Sequence, residues 1–187
     1  MKKDFYNAMK KGRVWILTLL ALCLFALDLS TKYWVQHHLI GMQYASPFYP
    51  YGGIGVFKDF LGIDFCINLV SNKGGAWGIF SSYPMILLSV RIGIVLVLAI
   101  YTLFVNKLHR RTIPFLMILV GAVANIVDYF VYGAVVDMFH FVFWNYSYPV
   151  FNVADMLIFF GVATLLVQTL IEKVKRDPNH ATQSSKN

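Results

Sequence analysis

The sequence predicts an all-α integral membrane protein with four transmembrane helices. Hydrophobic residues make up 58% of its 187 residues and charged residues 13%, whereas about a quarter of the residues in a soluble domain are charged. The apolar residues form four segments of roughly the 20 residues that a helix needs to cross a bilayer. If all four segments cross, most basic residues lie on one side. These observations indicate one membrane domain rather than a soluble fold.

The four predicted spans follow one another along the chain. They cover residues 14–35, 83–105, 113–130 and 151–171. The first span begins like a cleaved signal peptide, with basic residues before an apolar stretch, but no small-x-small cleavage site follows it. We therefore interpret the first span as a retained helix.

The basic residues predict the orientation of these spans. Twelve of the 16 Lys and Arg residues would lie on one side, with Lys32, Lys58 and Lys73 on the other and Arg91 inside a span. The positive-inside rule then places both termini and the 106–112 loop in the cytoplasm. This orientation explains the net charge of +7, and no nucleic-acid-binding motif accompanies it.

Each predicted span carries one ionisable residue towards its outer end. These residues are Asp28, Arg91, Asp128 and Asp155. The uncharged stretch beside each is about 21–24 Å long at helical rise, so the four charges should lie at similar depth. A charge at membrane depth is costly and usually faces protein or a water-filled cavity. Together with Asp137 in the short 131–150 connection, they predict a polar cavity that contains several carboxylates.

Paired aspartates are the chemistry that these residues favour. The sequence has no evident Ser-His-Asp set, and its five histidines and two cysteines lack metal-ligand spacing. Two neighbouring carboxyl groups cannot both ionise easily, so one can activate water while the other, protonated, polarises a carbonyl. Intramembrane carboxylates also form proton relays, so a proton-coupled membrane transporter is an alternative. That alternative predicts internal repeats, and the sequence has no evident repeat.

Four sequence blocks, in order, resemble the lipoprotein signal peptidase (signal peptidase II) family. They are residues 28–32 (Asp-Leu-Ser-Thr-Lys), 72–78 (Asn-Lys-Gly-Gly-Ala-Trp-Gly), 121–139 (which includes Asn-Ile-Val-Asp) and 151–158 (Phe-Asn-Val-Ala-Asp-Met-Leu-Ile). Each block alone is weak, but the ordered set is specific, and the resemblance covers roughly residues 14–172. It implies a membrane aspartyl endopeptidase that removes the signal peptide from bacterial prolipoproteins whose cysteine carries diacylglycerol.

The resemblance also implies roles for individual residues. Asp137 and Asp155 would be the catalytic pair, and Asp28 and Lys32 would be structural. The supporting and substrate-binding residues would be Asn72, Asn125, Asp128, Tyr129 and Asn152. A small extracytoplasmic β-cradle would lie within residues 41–82, where glycines separate short apolar pieces.

The resemblance implies further properties of the whole protein. It implies no metal or cofactor, and partners limited to the prolipoprotein and membrane lipids, with a monomeric enzyme and no nucleic acid. The protein would lie in the bacterial inner membrane with its active site near the outer face. Its parts would be a cytoplasmic N-terminus (1–13), a membrane peptidase domain (14–172) and a cytoplasmic tail (173–187).

Two positions depart from the family pattern. The family usually has Asn-x-x-Asp-Arg, but Tyr129 follows Asp128, and Ala124 stands where glycine is usual. A tyrosine offers one hydroxyl, whereas an arginine can bind a polar group with two parallel N–H groups. The departures concern substrate binding and leave the aspartate pair intact, and they raise a further alternative, an inactive lipid-binding relative.

Overall fold

Four long helices form the main body of the protein. The computed structural model describes residues 2–40, 52–75, 80 and 82–176, and the side chains of 12–40, 52–75, 80 and 82–175. The helices are α1 (Lys2–His38), α2 (Pro84–Ile100), α3 (Thr112–Tyr132) and α4 (Val153–Arg176).

All four helices are long and apolar enough to cross a membrane. The candidate spans are Gly12–His38, Pro84–Val105, His109–Tyr132 and Val153–Lys175. The prediction of four transmembrane helices is therefore confirmed. Since α1 starts at Lys2, the predicted cytoplasmic segment 1–13 continues directly into the first span.

Local residues explain where the helices begin and end. Pro84 occupies the first turn of α2, where its missing N–H leaves no helical bond unmade. Gly133 ends α3 in the left-handed conformation, with φ of 74°, and its N–H donates to the carbonyl of Tyr129 at 3.0 Å. A residue with a β-carbon adopts the left-handed conformation only at a cost in free energy, so glycine is favoured at this position.

Two glycines let α3 and α4 pack closely. A β-carbon on Gly161 of α4 would lie 2.6 Å from Ile118 Cγ1 and 2.7 Å from the carbonyl oxygen of Pro114 on α3. A β-carbon on Gly121 of α3 would collide with the carbonyl oxygen of Ala154 on α4. Membrane helices use such small residues for close backbone approach. The contact at Gly121 brings the C-terminal part of α3 against the first turn of α4.

A four-stranded antiparallel sheet completes the fold. Its strands, in both spatial and chain order, are β1 (Ile54–Phe60), β2 (Ile63–Asn72), β3 (Val135–Phe143) and β4 (Tyr146–Ser147). The fold class, four membrane helices with a small sheet, is confirmed. The predicted cradle 41–82 contains β1 and β2, whereas its residues 41–51, 76–79 and 81 lie outside the described residues.

Half of the sheet comes from a segment that the sequence predicted to be only a connection. Residues 131–150 contain β3 and β4, and β3 pairs with β2 along most of its length. One face of β3 packs Val136 and Met138 against Val35 and Leu39 at the end of α1. Because side chains alternate along a strand, Asp137 lies on the opposite face. The sheet is therefore fixed to the helices on one side and presents Asp137 on the other.

Candidate active site

Asp137 lies on β3 and is held by the neighbouring strand. Val70 of β2 is its register partner, and Asn72 at the end of β2 donates from Nδ2 to Asp137 Oδ2 at 2.8 Å. Asn72 Oδ1 accepts the N–H of Gly74 at 3.0 Å, which fixes the amide orientation because the oxygen faces the turn. The strand pairing thus directs an amide donor at the carboxylate.

Asp155 lies in the first turn of α4, where the helix start orients it. Asn152 precedes the helix, and its Oδ1 accepts the N–H of Asp155 at 2.8 Å. In return, Asp155 Oδ2 accepts the N–H of Asn152 at 3.3 Å. These reciprocal bonds form a capping box, in which each side chain satisfies a backbone N–H that the helix leaves free.

Asn152 joins the two carboxyl groups. Its Nδ2 donates to Asp137 Oδ1 at 2.7 Å, while its backbone N–H bonds Asp155. The same Nδ2 also lies 3.1 Å from Asn125 Oδ1 and 3.3 Å from the carbonyl oxygen of Val136. One residue, itself fully buried, therefore contacts both predicted catalytic residues and holds them at one locus.

Asn125 of α3 supplies the remaining donor. Its Nδ2 donates to Asp155 Oδ1 at 2.8 Å. Each carboxyl group thus accepts hydrogen bonds from two neutral donors: Asn72 and Asn152 for Asp137, Asn125 and the Asn152 backbone for Asp155. No lysine or arginine forms an ion pair with either carboxyl group within the described part of the chain.

A second polar cluster lies directly behind the first. Lys32 Nζ lies 2.6 Å from Asp28 Oδ2, 2.7 Å from Asp128 Oδ2 and 3.0 Å from Asn125 Oδ1. The side chains of Lys32, Asp28 and Asp128 have no solvent exposure. Because Lys32 has three N–H groups and no acceptor, it fixes Asn125 Oδ1 towards itself. The Asn125 NH₂ group must then face Asp155.

Asp28 also supports the start of α4. Its Oδ1 accepts the N–H of Ala154 at 2.7 Å, and Asp128 Oδ2 accepts the N–H of Val136 at 3.3 Å. The second cluster therefore ties α1 to α4, and α3 to the strand that carries Asp137.

The electrostatics of Asp137 differ from those of an ordinary carboxyl group. The pKa of Asp137 is raised from 3.8 to about 7, mainly by burial and also by the nearby charge of Asp155, although the hydrogen bonds from Asn72 and Asn152 act in the opposite direction. Desolvation favours the neutral form, and two neighbouring carboxylates cannot both ionise easily. The neutral form of Asp137 is therefore favoured far more than that of an exposed aspartate.

Access to the site is asymmetric. Asp137 is 1% exposed, whereas Asp155 is only partly buried and lines a cavity of about 310 Å³. The other residues of this cavity are Tyr148, Phe151, Met156, Phe159 and Phe160. The acid pair is thus reached from its Asp155 side, through an apolar groove along α4.

Two predicted features are arranged differently in the structure. The sequence placed all four ionisable span residues around one open cavity, but Asp28 and Asp128 are sealed in the cluster with Lys32. Arg91 lies instead near the loop after β2, 3.6 Å from the position of a β-carbon on Gly75. The desolvation cost of a buried charge can thus be offset by a closed ion pair as well as by a water-filled cavity.

The two positions that depart from the family pattern also have defined contacts. The Tyr129 hydroxyl donates to Met85 Sδ at 3.4 Å, so this side chain joins α3 to α2 rather than contacting the acid pair. Ala124 is fully buried, one residue before Asn125.

The sequence did not reveal the bridging role of Lys32. The spacing of Asp28 and Lys32, four residues apart, places both on one helix face and is the available signal. Its further partner Asp128 is 96 residues away, so only the tertiary fold brings the three together. Among the described residues, no group of three metal-ligating side chains is present.

Comparisons with known proteins identify the family. The family described as Signal peptidase (SPase) II matches residues 20–171, which is most of the chain. This chain belongs to the signal peptidase II family. Its family consists of aspartic-type endopeptidases, so the predicted enzyme class is confirmed.

Relatives named lipoprotein signal peptidase support this assignment. The protein from Clostridium tetani is 33% identical over 145 residues, which cover 75% of this chain and 83% of that protein. The protein from Clostridium acetobutylicum is 30% identical, covering 80% and 90%. The protein from Chlamydia pneumoniae is 38% identical over 104 residues, covering 54% of this chain and 62% of that protein.

Solved structures support the fold. A bacterial membrane enzyme determined by the in meso method at 2.3 Å has a TM-score of 0.65 and 22% identity, covering 88% of this chain and 90% of that one. A second such structure at 1.9 Å has the same TM-score and identity, covering 84% and 94%. The four candidate spans and the signal peptidase II relatives together fit a multi-pass protein of the bacterial inner membrane.

Proposed function

We propose that Asp137 and Asp155 are the catalytic pair with which this signal peptidase removes the signal peptide from prolipoproteins. The reaction follows from the family, and the assignment of the pair rests on one observation. Asn152 donates to both carboxyl groups, so the two acids meet at one place although 18 residues separate them. No cation neutralises them within the described residues.

The geometry supports general acid–base hydrolysis without a covalent intermediate. The pair shares one proton near neutral pH. The ionised carboxyl group takes a proton from a water molecule, whose oxygen attacks the scissile carbonyl, while the protonated group donates to the carbonyl oxygen. The tetrahedral intermediate then collapses: one of its hydroxyl groups returns a proton to the carboxylate that protonated the carbonyl oxygen, the C–N bond breaks, and the leaving amine takes up the proton that came from water. No metal or cofactor is required.

The surrounding residues support this chemistry in different ways. Asn72, Asn125 and Asn152 donate to the carboxyl oxygens and so fix their orientation. Asp128 acts at a distance, because it holds Lys32, which in turn orients Asn125. Tyr129 faces α2 and would contact a substrate only at the edge of the site.

The apolar groove beside Asp155 fits a lipid-modified substrate. Its aromatic and methionine side chains suit an acyl chain of a diacylglyceryl cysteine, which would then place the adjacent peptide bond over the acid pair. We further propose that membrane lipids and the prolipoprotein are the partners, without nucleic acid. One chain provides every residue of both polar clusters, which supports a monomeric enzyme.

The proposed orientation places the acid pair near the outer face of the membrane. Asp155 begins α4 and Asp128 lies near the end of α3, so both belong to one end of the helices. At the opposite end lie Arg110, Arg111 and Lys173. The positive-inside rule then makes the basic end cytoplasmic, together with both termini.

The decisive experiment replaces one acid and follows cleavage. We expect Asp137→Asn or Asp155→Asn to lower the rate on a diacylglyceryl-modified prolipoprotein by at least about a thousandfold, because neither amide can transfer the proton. Asp64→Asn is the matched control, since Asp64 caps the backbone of Asp59 in the β1–β2 hairpin. Near-normal cleavage by either site variant would refute the pair.

A further inference from the structure

Arg91 is a charged group that the acid pair does not use. It is the one charged residue of α2, Pro84–Ile100, and its side chain is partly buried. Within the described residues, its guanidinium has no ion pair and no hydrogen bond. Because a charge in a membrane span is costly unless it meets acceptors, this guanidinium requires acceptors that the described part of the chain does not supply.

The position of Arg91 relates it to the acid pair through one loop. Arg91 Nη2 lies 3.6 Å from the β-carbon position of Gly75, and Leu87 Cδ2 lies 3.7 Å from it. Gly75 follows Asn72 by three residues, and Asn72 donates to Asp137. The groove lines Asp155, whereas the loop that begins at Asn72 contacts Asp137. A peptide that lies across both carboxyl groups and extends past Asn72 along this loop would meet Arg91.

Helix α3 lacks the arginine that the family usually has directly after Asp128. Tyr129 stands at that position on α3, and its hydroxyl bonds Met85 of α2. Helix α2 also carries Arg91, so a guanidinium is available on the helix that Tyr129 contacts. Arginine presents a planar set of N–H donors that can bind two oxygens at once, which neither tyrosine nor lysine can do in the same way.

We propose that Arg91 binds main-chain carbonyl oxygens of the prolipoprotein next to the scissile bond, in place of the missing arginine at position 129. This proposal rests on the proposed function, because it takes the prolipoprotein as the substrate. It does not depend on which of the two aspartates carries the proton. Arg91 then contributes to substrate affinity, whereas proton transfer stays with Asp137 and Asp155.

Steady-state kinetics on a synthetic diacylglyceryl lipopeptide test the proposal. Hydrogen bonds to a charged group predict that Arg91→Gln raises KM about ten- to hundredfold, with kcat changed less than about twofold. Arg91→Lys, which keeps the charge in the span, should raise KM by an intermediate factor. Arg110→Gln, at the other end of the helices, is the control and should leave KM unchanged. An unchanged KM in both Arg91 variants would overturn the proposal.

A second-site variant sharpens the test. Adding Tyr129→Arg to Arg91→Gln should return KM to within about threefold of the parent, because a guanidinium is restored on the same side of the site. If KM stays high in the double variant, Arg91 does not take the role of an arginine at position 129.

Photo-crosslinking gives a readout that does not depend on catalysis. A benzophenone side chain at position 91, in the Asp137→Asn protein, should capture the lipopeptide. The same side chain at Gly93, where a β-carbon meets open space, should capture only lipid. Equal capture at both positions would contradict a substrate contact at Arg91. If Asp137→Asn still cleaved while position 91 captured peptide, the acid pair would be wrong and the Arg91 contact would stand.

Discussion

Two carboxylate clusters lie side by side in this protein and differ by one cation. Asp28 and Asp128 share Lys32 and are completely buried, whereas Asp137 and Asp155 have only amide donors. The first cluster therefore contains the cation that offsets the burial of its carboxyl groups, whereas the second contains none. Because Asp28, Asp128 and Asp137 are all buried, burial alone does not distinguish the structural acids from the proposed catalytic pair, and the ion pair with Lys32 does.

The largest effect is expected when the cation of the first cluster, Lys32, is removed. Lys32→Met leaves Asp28 and Asp128 buried without a partner, which should destabilise the protein by about 3–5 kcal/mol. Thermal unfolding in detergent micelles measures the loss, and Lys58→Met on the exposed strand β1 is the control. Adding Asp128→Asn should recover part of the stability. An unchanged melting temperature in Lys32→Met would show that the ion pairs contribute little.

The link between the two acids of the proposed catalytic pair is tested at Asn152. Asn152→Ala removes the donor to Asp137 and the cap of α4, which together should lower kcat/KM about ten- to hundredfold and cost about 1 kcal/mol of stability. Asn106→Ala is matched, because Asn106 also caps a backbone N–H, that of Leu108, but at the other end of the helices. If both variants kept full activity, Asn152 would have no role in orienting the pair.

The burial of Asp137 beside Asp155 also predicts a pH dependence. Since the pKa of Asp137 is raised to about 7, mainly by burial, kcat/KM should fall about tenfold per pH unit above that value as the shared proton is lost. A carboxyl group with a raised folded-state pKa stabilises the fold below its unfolded pKa, and this contribution disappears as pH rises through about 7. The stability difference between the parent and Asp137→Asn should therefore change between pH 4 and 7 and be constant above. A pH-independent kcat/KM from 6 to 9 contradicts the shared proton.

The smallest effect is expected at the outer edge of the pair. Asn72→Ala removes one of two donors to Asp137 and should lower kcat/KM about tenfold. It should also raise the pKa of Asp137, since this hydrogen bond favours the ionised form. The alkaline limb of the pH profile would then move upward. Movement in the opposite direction would mean that Asn72 does not bond the carboxylate.

Hydropathy predicted the helices because a membrane span requires a long apolar segment whatever the tertiary fold. The strand β3 was not predicted, because its sequence, Val-Val-Asp-Met-Phe-His-Phe-Val-Phe, is apolar on both faces and lacks the alternation of a half-buried strand. Its β-branched and aromatic content between Gly133 and the turn at Trp144 was the available signal.

The sequence predicted which residues belong to the candidate site, but not which of them lie together in the structure. The motif blocks marked Asp137, Asp155 and the three asparagines, because they are local in sequence. The separation of the aspartates into two clusters depends on which of them Lys32 contacts, and such contacts between distant residues leave no pattern in a single sequence. The same limit applies to Asn152, because its hydrogen bond to Asp137 on β3 joins residues of different elements.

The partial exposure of Asp155 beside the buried Asp137 has a consequence for the order of events. The cavity along α4 is lined by aromatic and methionine side chains apart from Asp155, so an acyl chain that fills it covers the more exposed acid of the pair. In the proposed reaction, the protonation state of the pair and the attacking water would then be set before the substrate binds. We therefore expect pH to affect kcat/KM more strongly than kcat.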